Sequence, residues 1–219
     1  MADYVAEPST AGPWPGLIVL HEIYGLDADI RAKADRLASK GYLAVAVDLF
    51  AGRSRASCLL AAFRAYALGR GEVFGEIEAA RAALAARSDC TGKVGVIGFC
   101  LGGGFALLSA RTFDAAAINY PQLPRDLPDV LRGACPIVAS FGGRDPVLPG
   151  AGERFEAALA EAGVEGDVKT YPQASHSFLN QHTSGASGAI ARVTGMNYHG
   201  PSAVDAWRRI DAFFAEHLR

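Results

Sequence analysis

A cysteine in this 219-residue chain stands where a strand-to-helix turn is expected to expose a nucleophile. Cys100 follows an apolar run that ends at Phe99, and it occupies the centre of the pattern Gly98-x-Cys100-x-Gly102. This is the nucleophile-elbow pattern, with cysteine in place of the usual serine. Glycine is needed on both sides because the nucleophile's backbone is strained and a side chain there would collide with the neighbouring strand or helix. The pattern predicts a reactive thiol at this turn.

Asp145 and His176, further along the chain, bear on whether Cys100 is a catalytic nucleophile. A lone cysteine after an apolar run is more often a small buried side chain, and these glycines form neither G-x-G-x-x-G nor a phosphate loop. Asp145 and His176 each follow a predicted strand, in the order cysteine, acid, histidine that a nucleophile-elbow sheet imposes. Asp145 could instead be a turn residue and His176 a surface-loop histidine. The order of the three favours a triad in which His176 carries the proton and Asp145 orients the imidazole.

Backbone and carboxylate groups beside the predicted elbow suggest further roles. The N–H of Leu101, at a helix start, would point to where an oxyanion forms, and the helix N-terminus favours thiolate. Glu22 follows the first central strand, from which its carboxylate could hydrogen-bond the thiol, and the N–H of Ile23 could be the second oxyanion donor. Glu22 could also be a solvated loop residue. His21-Glu22 lacks the second histidine of H-E-x-x-H, which excludes a zinc protease on motif grounds.

The elements that must position these residues alternate along the chain. An edge strand or arm is expected within 4–16, and apolar runs predict buried strands at 17–20, 42–47, the segment that leads to Cys100, 115–120, 136–141 and 168–171. Helical spacing predicts helices around 28–40, 58–69, 72–87, 128–132, 149–163 and 203–218, whereas 180–202 looks irregular. Such alternation predicts an α/β fold, a mostly parallel sheet with helices on both faces, with the reacting groups beyond the carboxyl ends of its strands.

Composition limits the class of protein. Half of the residues are hydrophobic, and 21 basic against 23 acidic residues show no basic stripe for nucleic acid. No apolar stretch approaches the roughly 20 residues of a membrane span. The four cysteines form no C-x-x-C pair, so neither a disulfide framework nor a zinc site is indicated. We expect a single domain over 1–219, cytoplasmic, monomeric or homodimeric, with a small-molecule substrate, no nucleic-acid or membrane partner, and no metal or cofactor.

Four motifs taken together resemble the dienelactone hydrolase family, from about Pro15 to the final helix. They are Gly98-Phe99-Cys100-Leu101-Gly102-Gly103, His21-Glu22-Ile23-Tyr24-Gly25-Leu26, Gly143-Arg144-Asp145-Pro146 and His176-Ser177-Phe178. The resemblance implies an α/β-hydrolase fold without a large cap domain and a Cys100-His176-Asp145 triad that acts through a thioester-like acyl-enzyme. It also implies that Glu22 contacts the resting thiol and helps to generate thiolate when substrate binds.

The substrate-binding residues depart from that family's pattern. The founding enzyme opens an enol-lactone to a keto acid, and two arginines there hold the substrate carboxylate. One arginine is expected four residues after the histidine, where this chain has Asn180; Arg53 or Arg55 could match the other. An amide cannot replace the bidentate guanidinium at equal strength, so the departure concerns the substrate rather than the hydrolase chemistry.

Aromatic residues near the ends of predicted strands are candidates for the pocket wall. They are Tyr24, Phe50, Tyr120 and Phe178, for which core packing is an equal alternative. The sequence thus predicts a cysteine-dependent hydrolase of small carboxylic esters or lactones. The alternative is a non-catalytic or redox-sensing protein of the same fold that uses Cys100 as a reactive thiol. The presence of Asp145 and His176 argues against it, because a sensor thiol needs neither an orienting acid nor a proton shuttle.

Overall fold

A seven-stranded sheet forms the centre of the molecule in the computed structural model, which describes residues 3–50, 55–181 and 197–219. The strands lie in the order β1-β3-β2-β4-β5-β6-β7, and β1 pairs antiparallel to β3 while the other pairs are parallel. Their bounds are β1 Tyr4–Ala6, β2 Trp14–Leu20, β3 Leu43–Val47, β4 Cys90–Phe99, β5 Ala115–Asn119, β6 Ile137–Gly142 and β7 Gly166–Tyr171. The predicted mostly parallel α/β fold is confirmed.

Helices cover both faces of this sheet. Their bounds are α1 Ala28–Ser39, α2 Arg55–Leu68, α3 Glu72–Ala85, α4 Leu101–Ser109, α5 Leu127–Leu131, α6 Ala151–Ala162 and α7 Gly200–Leu218, with a short 3-10 helix at Ala110–Thr112. A Cβ on Gly16 of β2 would meet Leu84 of α3, whereas a Cβ on Gly95 of β4 would meet Leu17 of β2 and Leu218 of α7. Since Gly16 and Leu17 are adjacent on one strand, their side chains point to opposite faces, so α3 and α7 lie on opposite sides.

The strands at the middle of the sheet are apolar on both faces. Leu17 to Leu20 of β2 have no exposed surface, and neither has the alanine run of β5. Parallel strands covered by helices on both sides require such continuous runs, which is why the sequence identified them. β2, β4, β5, β6 and β7 run in the same direction, so their carboxyl ends meet at one edge of the sheet.

Element bounds differ from the sequence prediction by a few residues at several ends. β5 ends at Asn119 because Tyr120 takes a positive φ of 40°. α7 begins at Gly200 rather than 203, with Pro201 in its first turn, where a missing N–H costs no hydrogen bond. Over the described ranges, no helix combines the length and the hydropathy that crossing a bilayer requires.

Candidate active site

The turn between β4 and α4 holds Cys100 in a strained conformation. Its φ of 50° and ψ of −113° lie outside the regions that residues other than glycine normally occupy. Two backbone hydrogen bonds hold the turn: the Cys100 N–H donates to the Asn119 carbonyl (3.0 Å), and the Gly104 N–H donates to the Cys100 carbonyl (3.0 Å). A Cβ on Gly98 would lie 2.1 Å from the Gly102 oxygen, and one on Gly102 would lie 2.3 Å from the Leu20 oxygen. Both flanking glycines are therefore required sterically, as the pattern predicted.

His176 and Asp145 form a buried hydrogen-bonded pair at the same edge of the sheet. Nδ1 of His176 donates to Oδ2 of Asp145 at 2.6 Å. The other carboxylate oxygen of Asp145 accepts from the N–H of Val147 at 2.9 Å, so the turn after β6 fixes the acid in place. Asp145 is 5% exposed and His176 7% exposed. Because Nδ1 is taken by the carboxylate, Nε2 remains for the hydrogen bond between the imidazole and the Cys100 thiol.

The protonation of Cys100 and His176 is set by burial and by their mutual contact. Burial raises the pKa of the Cys100 thiol and the Glu22 charge raises it further, against the opposing hydrogen bonds of His176 and the Leu101 N–H. Burial alone would lower the pKa of His176, but the hydrogen bonds to Asp145 and Cys100 outweigh it and raise that pKa above the ordinary value of histidine. Burial and the Glu22 charge thus disfavour the thiolate, while the Asp145 carboxylate makes the imidazole a stronger proton acceptor.

Glu22 lies beside this pair and is held by a serine that the sequence analysis left without a role. The carboxylate is 3% exposed, and Ser177 Oγ donates to its Oε1 at 2.9 Å. Ser177 has a positive φ of 59°, so the residue directly after His176 is itself strained. The one signal in the sequence was its place in the His176-Ser177-Phe178 motif. The solvated-loop alternative for Glu22 is excluded by its burial.

His21 ties the ends of two neighbouring strands together behind Glu22. Its Nε2 accepts from the Leu49 N–H at 3.1 Å, so the ring proton sits on Nδ1, which donates to the Glu22 carbonyl at 2.6 Å. Burial lowers the pKa of His21, which keeps the ring neutral and able to accept. Phe50 packs against the imidazole with its ring centre 4.7 Å away. His21 thus fixes the backbone from which the Glu22 side chain projects.

A cavity of about 270 Å³ opens next to the thiol. Its wall includes the predicted catalytic and oxyanion-hole residues Glu22, Ile23, Cys100, Leu101 and His176, and also the predicted pocket residue Tyr24. The remaining lining residues are Phe63, Tyr66, Gly104, Gln122, Val147, Leu148 and Ser177. Phe63 and Tyr66 come from α2 and Val147 from the turn that carries Asp145; the sequence analysis named none of these as pocket residues.

Tyr120 and Phe178 lie elsewhere than the pocket-wall interpretation expected. Neither side chain has exposed surface. The Tyr120 ring packs edge-on against the His176 imidazole, 5.2 Å between centres, and Phe178 packs against Tyr120 at 5.6 Å on the far side. The core-packing alternative is correct for both: Tyr120 packs on the His176 ring, and Phe178 packs on Tyr120. Both residues lie near the edge of the sheet that carries Cys100, but their side chains face the hydrophobic interior.

The positions expected to bind a carboxylate are also placed differently. Asn180 is 2% exposed, and its Oδ1 accepts a hydrogen bond from the Tyr120 hydroxyl at 3.0 Å. It is not among the residues that line the cavity. Arg53, predicted as the second carboxylate ligand, lies outside the described residues. Phe50, the remaining aromatic candidate, packs on His21 and is also absent from the cavity wall.

Metal-ligating side chains come together at a place away from Cys100. Glu165, Glu216 and His217 have ligand atoms within 4.8 Å of one another, where β7 begins and α7 ends. Cys100 follows the carboxyl end of β4, which is the opposite edge of the parallel sheet. The cluster therefore has no part in the site at the elbow.

The parallel sheet, the strained cysteine on a strand-to-helix turn and the acid and histidine after later strands define an α/β-hydrolase. The model of the dienelactone hydrolase family matches residues 1–218, and the chain belongs to that family. Family membership makes it a hydrolase of carboxylic esters or lactones.

Known proteins of this family align over nearly the whole chain. A carboxymethylenebutenolidase from Pseudomonas putida is 28% identical over 214 residues, which cover 90% of this chain and 89% of the relative. The crystal structure of a candidate dienelactone hydrolase from Klebsiella pneumoniae has a TM-score of 0.78 at 27% identity, covering 98% of this chain and 92% of that one. A dienelactone hydrolase-like promiscuous phosphotriesterase from metagenomic libraries matches along all of both chains, with a TM-score of 0.82 at 24% identity, and shares the fold.

Proposed function

We propose that this hydrolase cleaves small carboxylic esters or lactones through Cys100, with His176 as the proton carrier and Asp145 as its orienting acid. One observation carries the proposal. A single imidazole is hydrogen-bonded on one side to a buried carboxylate at 2.6 Å and on the other to a thiol that a strained elbow places at the cavity wall. A structural cysteine would need neither the strain nor the buried imidazole and acid pair.

The first half of the reaction forms an acyl-enzyme. The Cys100 sulfur attacks the carbonyl carbon while its proton passes to Nε2 of His176, and Asp145 stabilises the resulting imidazolium. The carbonyl oxygen becomes an oxyanion next to the backbone N–H groups of Leu101 and Ile23, both at the cavity wall. When the tetrahedral intermediate collapses, the C–O bond to the alcohol breaks. The departing oxygen takes the proton from His176 and leaves a thioester on Cys100.

The second half returns the enzyme to its resting form. Water gives a proton to His176 and attacks the thioester carbonyl, and the same two backbone groups hold the second oxyanion. Collapse breaks the C–S bond, releases the carboxylic acid and returns the proton to the sulfur. In a lactone the alcohol and the acid belong to one molecule, so the product is a hydroxy acid; an enol-lactone releases an enol, which tautomerises to a keto acid. The cycle uses only protein groups and water.

Glu22 acts on the resting thiol in this proposal. Its buried charge next to the sulfur holds the Cys100 proton in place until substrate enters. Ser177 keeps the carboxylate at that position through the 2.9 Å hydrogen bond. The burial of Glu22 and its electrostatic effect on the thiol support the role that the family resemblance implies, in which the matching glutamate contacts the resting thiol and helps to generate thiolate when substrate binds.

Hydrolysis of p-nitrophenyl acetate and of a simple enol-lactone by wild type and Cys100→Ala tests the proposal, with the intact mass measured after an acid quench. We expect a fall of at least about 10³-fold in kcat/KM for the variant and an acyl adduct on Cys100 in the wild type, because the nucleophile is lost. Cys58→Ala is the matched control, since Cys58 is buried, does not line the cavity beside Cys100, and its thiol donates to the Phe50 carbonyl.

Retained activity in Cys100→Ala would overturn the proposal. Oxidation of Cys100 by dilute peroxide without turnover of any ester or lactone would favour the thiol-sensor alternative instead.

A further inference from the structure

Asn119, the last residue of β5, holds the backbone of the elbow on both sides of Phe99. Phe99 and Asn119 are partners in the β4–β5 register, and the Cys100 N–H, one residue past the end of β4, donates to the Asn119 carbonyl at 3.0 Å. The Asn119 side chain reaches the residue before Phe99, because its Nδ2 donates to the Gly98 carbonyl at 3.1 Å. Asn119 therefore attaches both the end of β4 and the nucleophile itself to β5.

The same residue also limits how α4 begins. A Cβ on Gly103, in the first turn of α4, would lie 2.8 Å from the Asn119 carbonyl oxygen, so the helix and β5 are in close backbone contact there. Between strand and helix, Cys100 has a φ of 50° and a ψ of −113°. A strained conformation of this kind persists only where the surrounding structure over-determines it. The contacts of Asn119 with the strand end, the turn and the helix start supply part of that constraint.

The Asn119 side chain is a buried amide on a strand that is otherwise apolar. It is 1% exposed and follows residues 115–118, which are all buried and hydrophobic. Over the part of the chain that the structure describes, its Oδ1 accepts no hydrogen bond. A buried acceptor without a partner lowers stability, and an alanine or leucine at this position would carry no such cost. Local costs of this kind are characteristic of functional sites.

Tyr120, the next residue, connects the same segment to the histidine. Its ring packs edge-on against the His176 imidazole, with 5.2 Å between the ring centres. Its N–H donates to the Ser140 carbonyl at 2.8 Å, which attaches it to β6, and its φ of 40° makes it a second strained residue directly after Asn119. One short piece of backbone, residues 119–120, thus contacts both the turn that carries the sulfur and the imidazole next to it.

We propose that Asn119 is a positioning residue whose side-chain amide holds the elbow so that the Cys100 sulfur is aligned with His176. The inference rests on the proposed function, since it takes Cys100 as the nucleophile. Asn119 is not among the residues that line the cavity, so it acts through the Gly98 carbonyl and the backbone of the turn. A displacement of about 1 Å in a reacting group costs about 10²-fold in rate, so a single hydrogen bond at the elbow is enough to change turnover.

Asn119→Ala removes the amide without adding bulk. We expect kcat/KM for p-nitrophenyl acetate, per folded molecule, to fall by about 10- to 100-fold, because the sulfur is no longer held in line with the imidazole. The pH at which iodoacetamide alkylates Cys100 at half its maximal rate should move above the wild-type value. The reason is that the hydrogen bonds of His176 and the Leu101 N–H, which favour the thiolate, become weaker.

Two further variants separate the hydrogen bond from packing. Asn119→Leu fills the space without a donor and should lose activity as Asn119→Ala does. Val138→Ala is the matched control, since Val138 is 1% exposed on β6, which is not adjacent to β4, and does not line the cavity. Its truncation should lower the urea midpoint of unfolding, while kcat/KM per folded molecule stays within about twofold of wild type and the alkylation midpoint stays at the wild-type pH.

The outcomes distinguish this inference from the proposed function. A kcat/KM for Asn119→Ala within about twofold of wild type, or a loss without a rise in the alkylation midpoint, would overturn the positioning role alone, provided that turnover still depends on Cys100. Full activity in Asn119→Leu, or an equal loss in Val138→Ala, would also overturn it, because packing would then explain the effect. If Asn119→Leu does not fold, Asn119→Ala and Val138→Ala decide. Hydrolysis that persists in Cys100→Ala would overturn the proposed function and the inference with it.

Discussion

Cys100 combines two features that work against each other in the free enzyme. The elbow exposes the sulfur next to His176 and the Leu101 N–H, which both favour the thiolate, whereas burial and the Glu22 charge favour the thiol and raise its pKa overall. A protonated resting sulfur resists oxidation and adventitious alkylation, because the thiolate is the reactive form. At the scale of single residues, the Glu22 charge thus adds to burial in lowering the reactivity of the Cys100 sulfur in the free enzyme.

Replacing Glu22 with glutamine should separate resting reactivity from turnover. Loss of the negative charge lowers the Cys100 pKa, so the pH at which alkylation by iodoacetamide reaches half its maximal rate should move below the wild-type value. Turnover should fall by about 10²-fold if the carboxylate also helps to generate the thiolate when substrate binds, as the family resemblance implies. The measurement is the pH dependence of Cys100 alkylation by mass spectrometry, beside kcat/KM for p-nitrophenyl acetate.

Glu161→Gln is the control for that substitution, because it removes an exposed acid on α6. An alkylation profile for Glu22→Gln that coincides with wild type, or moves to higher pH, would contradict the electrostatic role assigned to Glu22.

At the scale of elements, the strand-turn-helix unit of β4 and α4 depends on close backbone approach. The β4 strand, the start of α4 and the end of β2 meet at Gly98 and Gly102, each with a backbone oxygen within 2.3 Å of where a Cβ would be. Backbone cannot move aside as a flexible side chain can, so a methyl group here must push two elements apart. This proximity is what brings the Leu101 N–H to the sulfur.

Gly98→Ala should lower the free energy of unfolding by at least about 3 kcal/mol, because the added methyl group overlaps the Gly102 carbonyl. Gly75→Ala is the matched control. Gly75 is an exposed residue within α3, away from the helix ends, and no atom lies near its Cβ position. Alanine there should raise the free energy of unfolding by about 0.5–1 kcal/mol. Urea denaturation followed by circular dichroism checks both. A Gly98→Ala variant as stable as wild type would mean that the elbow is not held this tightly.

At the scale of the whole molecule, buried charges attach the last helix to the sheet. Arg209 of α7 donates to the Asp167 carboxylate at 2.9 Å and to the Asp167 carbonyl at 2.7 Å, and it approaches the Ala139 carbonyl and the Tyr171 hydroxyl. Its side chain is 8% exposed. Arg36 of α1 pairs with Asp211 of α7 through two hydrogen bonds of 2.8 and 2.7 Å. These contacts join the final helix to β6, β7 and α1, elements far from it in sequence.

Arg209→Met should lower the free energy of unfolding by about 3 kcal/mol, because methionine fills the space but removes the hydrogen bonds that the guanidinium donates to Asp167 and to the Ala139 carbonyl. Arg208→Met should change it by less than about 1 kcal/mol, since Arg208 is 70% exposed and pairs with Asp205 at the surface. Guanidinium unfolding of both variants measures the difference. Neither arginine lines the cavity beside Cys100, so kcat/KM per folded molecule should stay within about twofold of the wild-type value in both variants. A larger loss of kcat/KM in Arg209→Met would show that α7 also positions the site.

Local patterns in the sequence determined the fold class and the residues gathered at the site. Continuous apolar runs identify buried parallel strands, and parallel strands bring the residues after them to one edge of the sheet, so Cys100, Asp145, His176 and Glu22 were found without coordinates. The glycines of the elbow follow from backbone sterics alone. The catalytic roles, the substrate, the oligomeric state and the cytoplasmic location stay predictions.

Packing decided the rest. An aromatic residue after a strand can face the cavity or the core, and only the tertiary structure placed Tyr120 and Phe178 behind His176, and Phe63, Tyr66 and Val147 at the cavity. The bond from Ser177 to Glu22 joins residues 155 positions apart, and no local pattern encodes such a contact. Strand and helix formation depend on neighbouring residues, whereas the direction of a side chain depends on whichever distant surface it packs against.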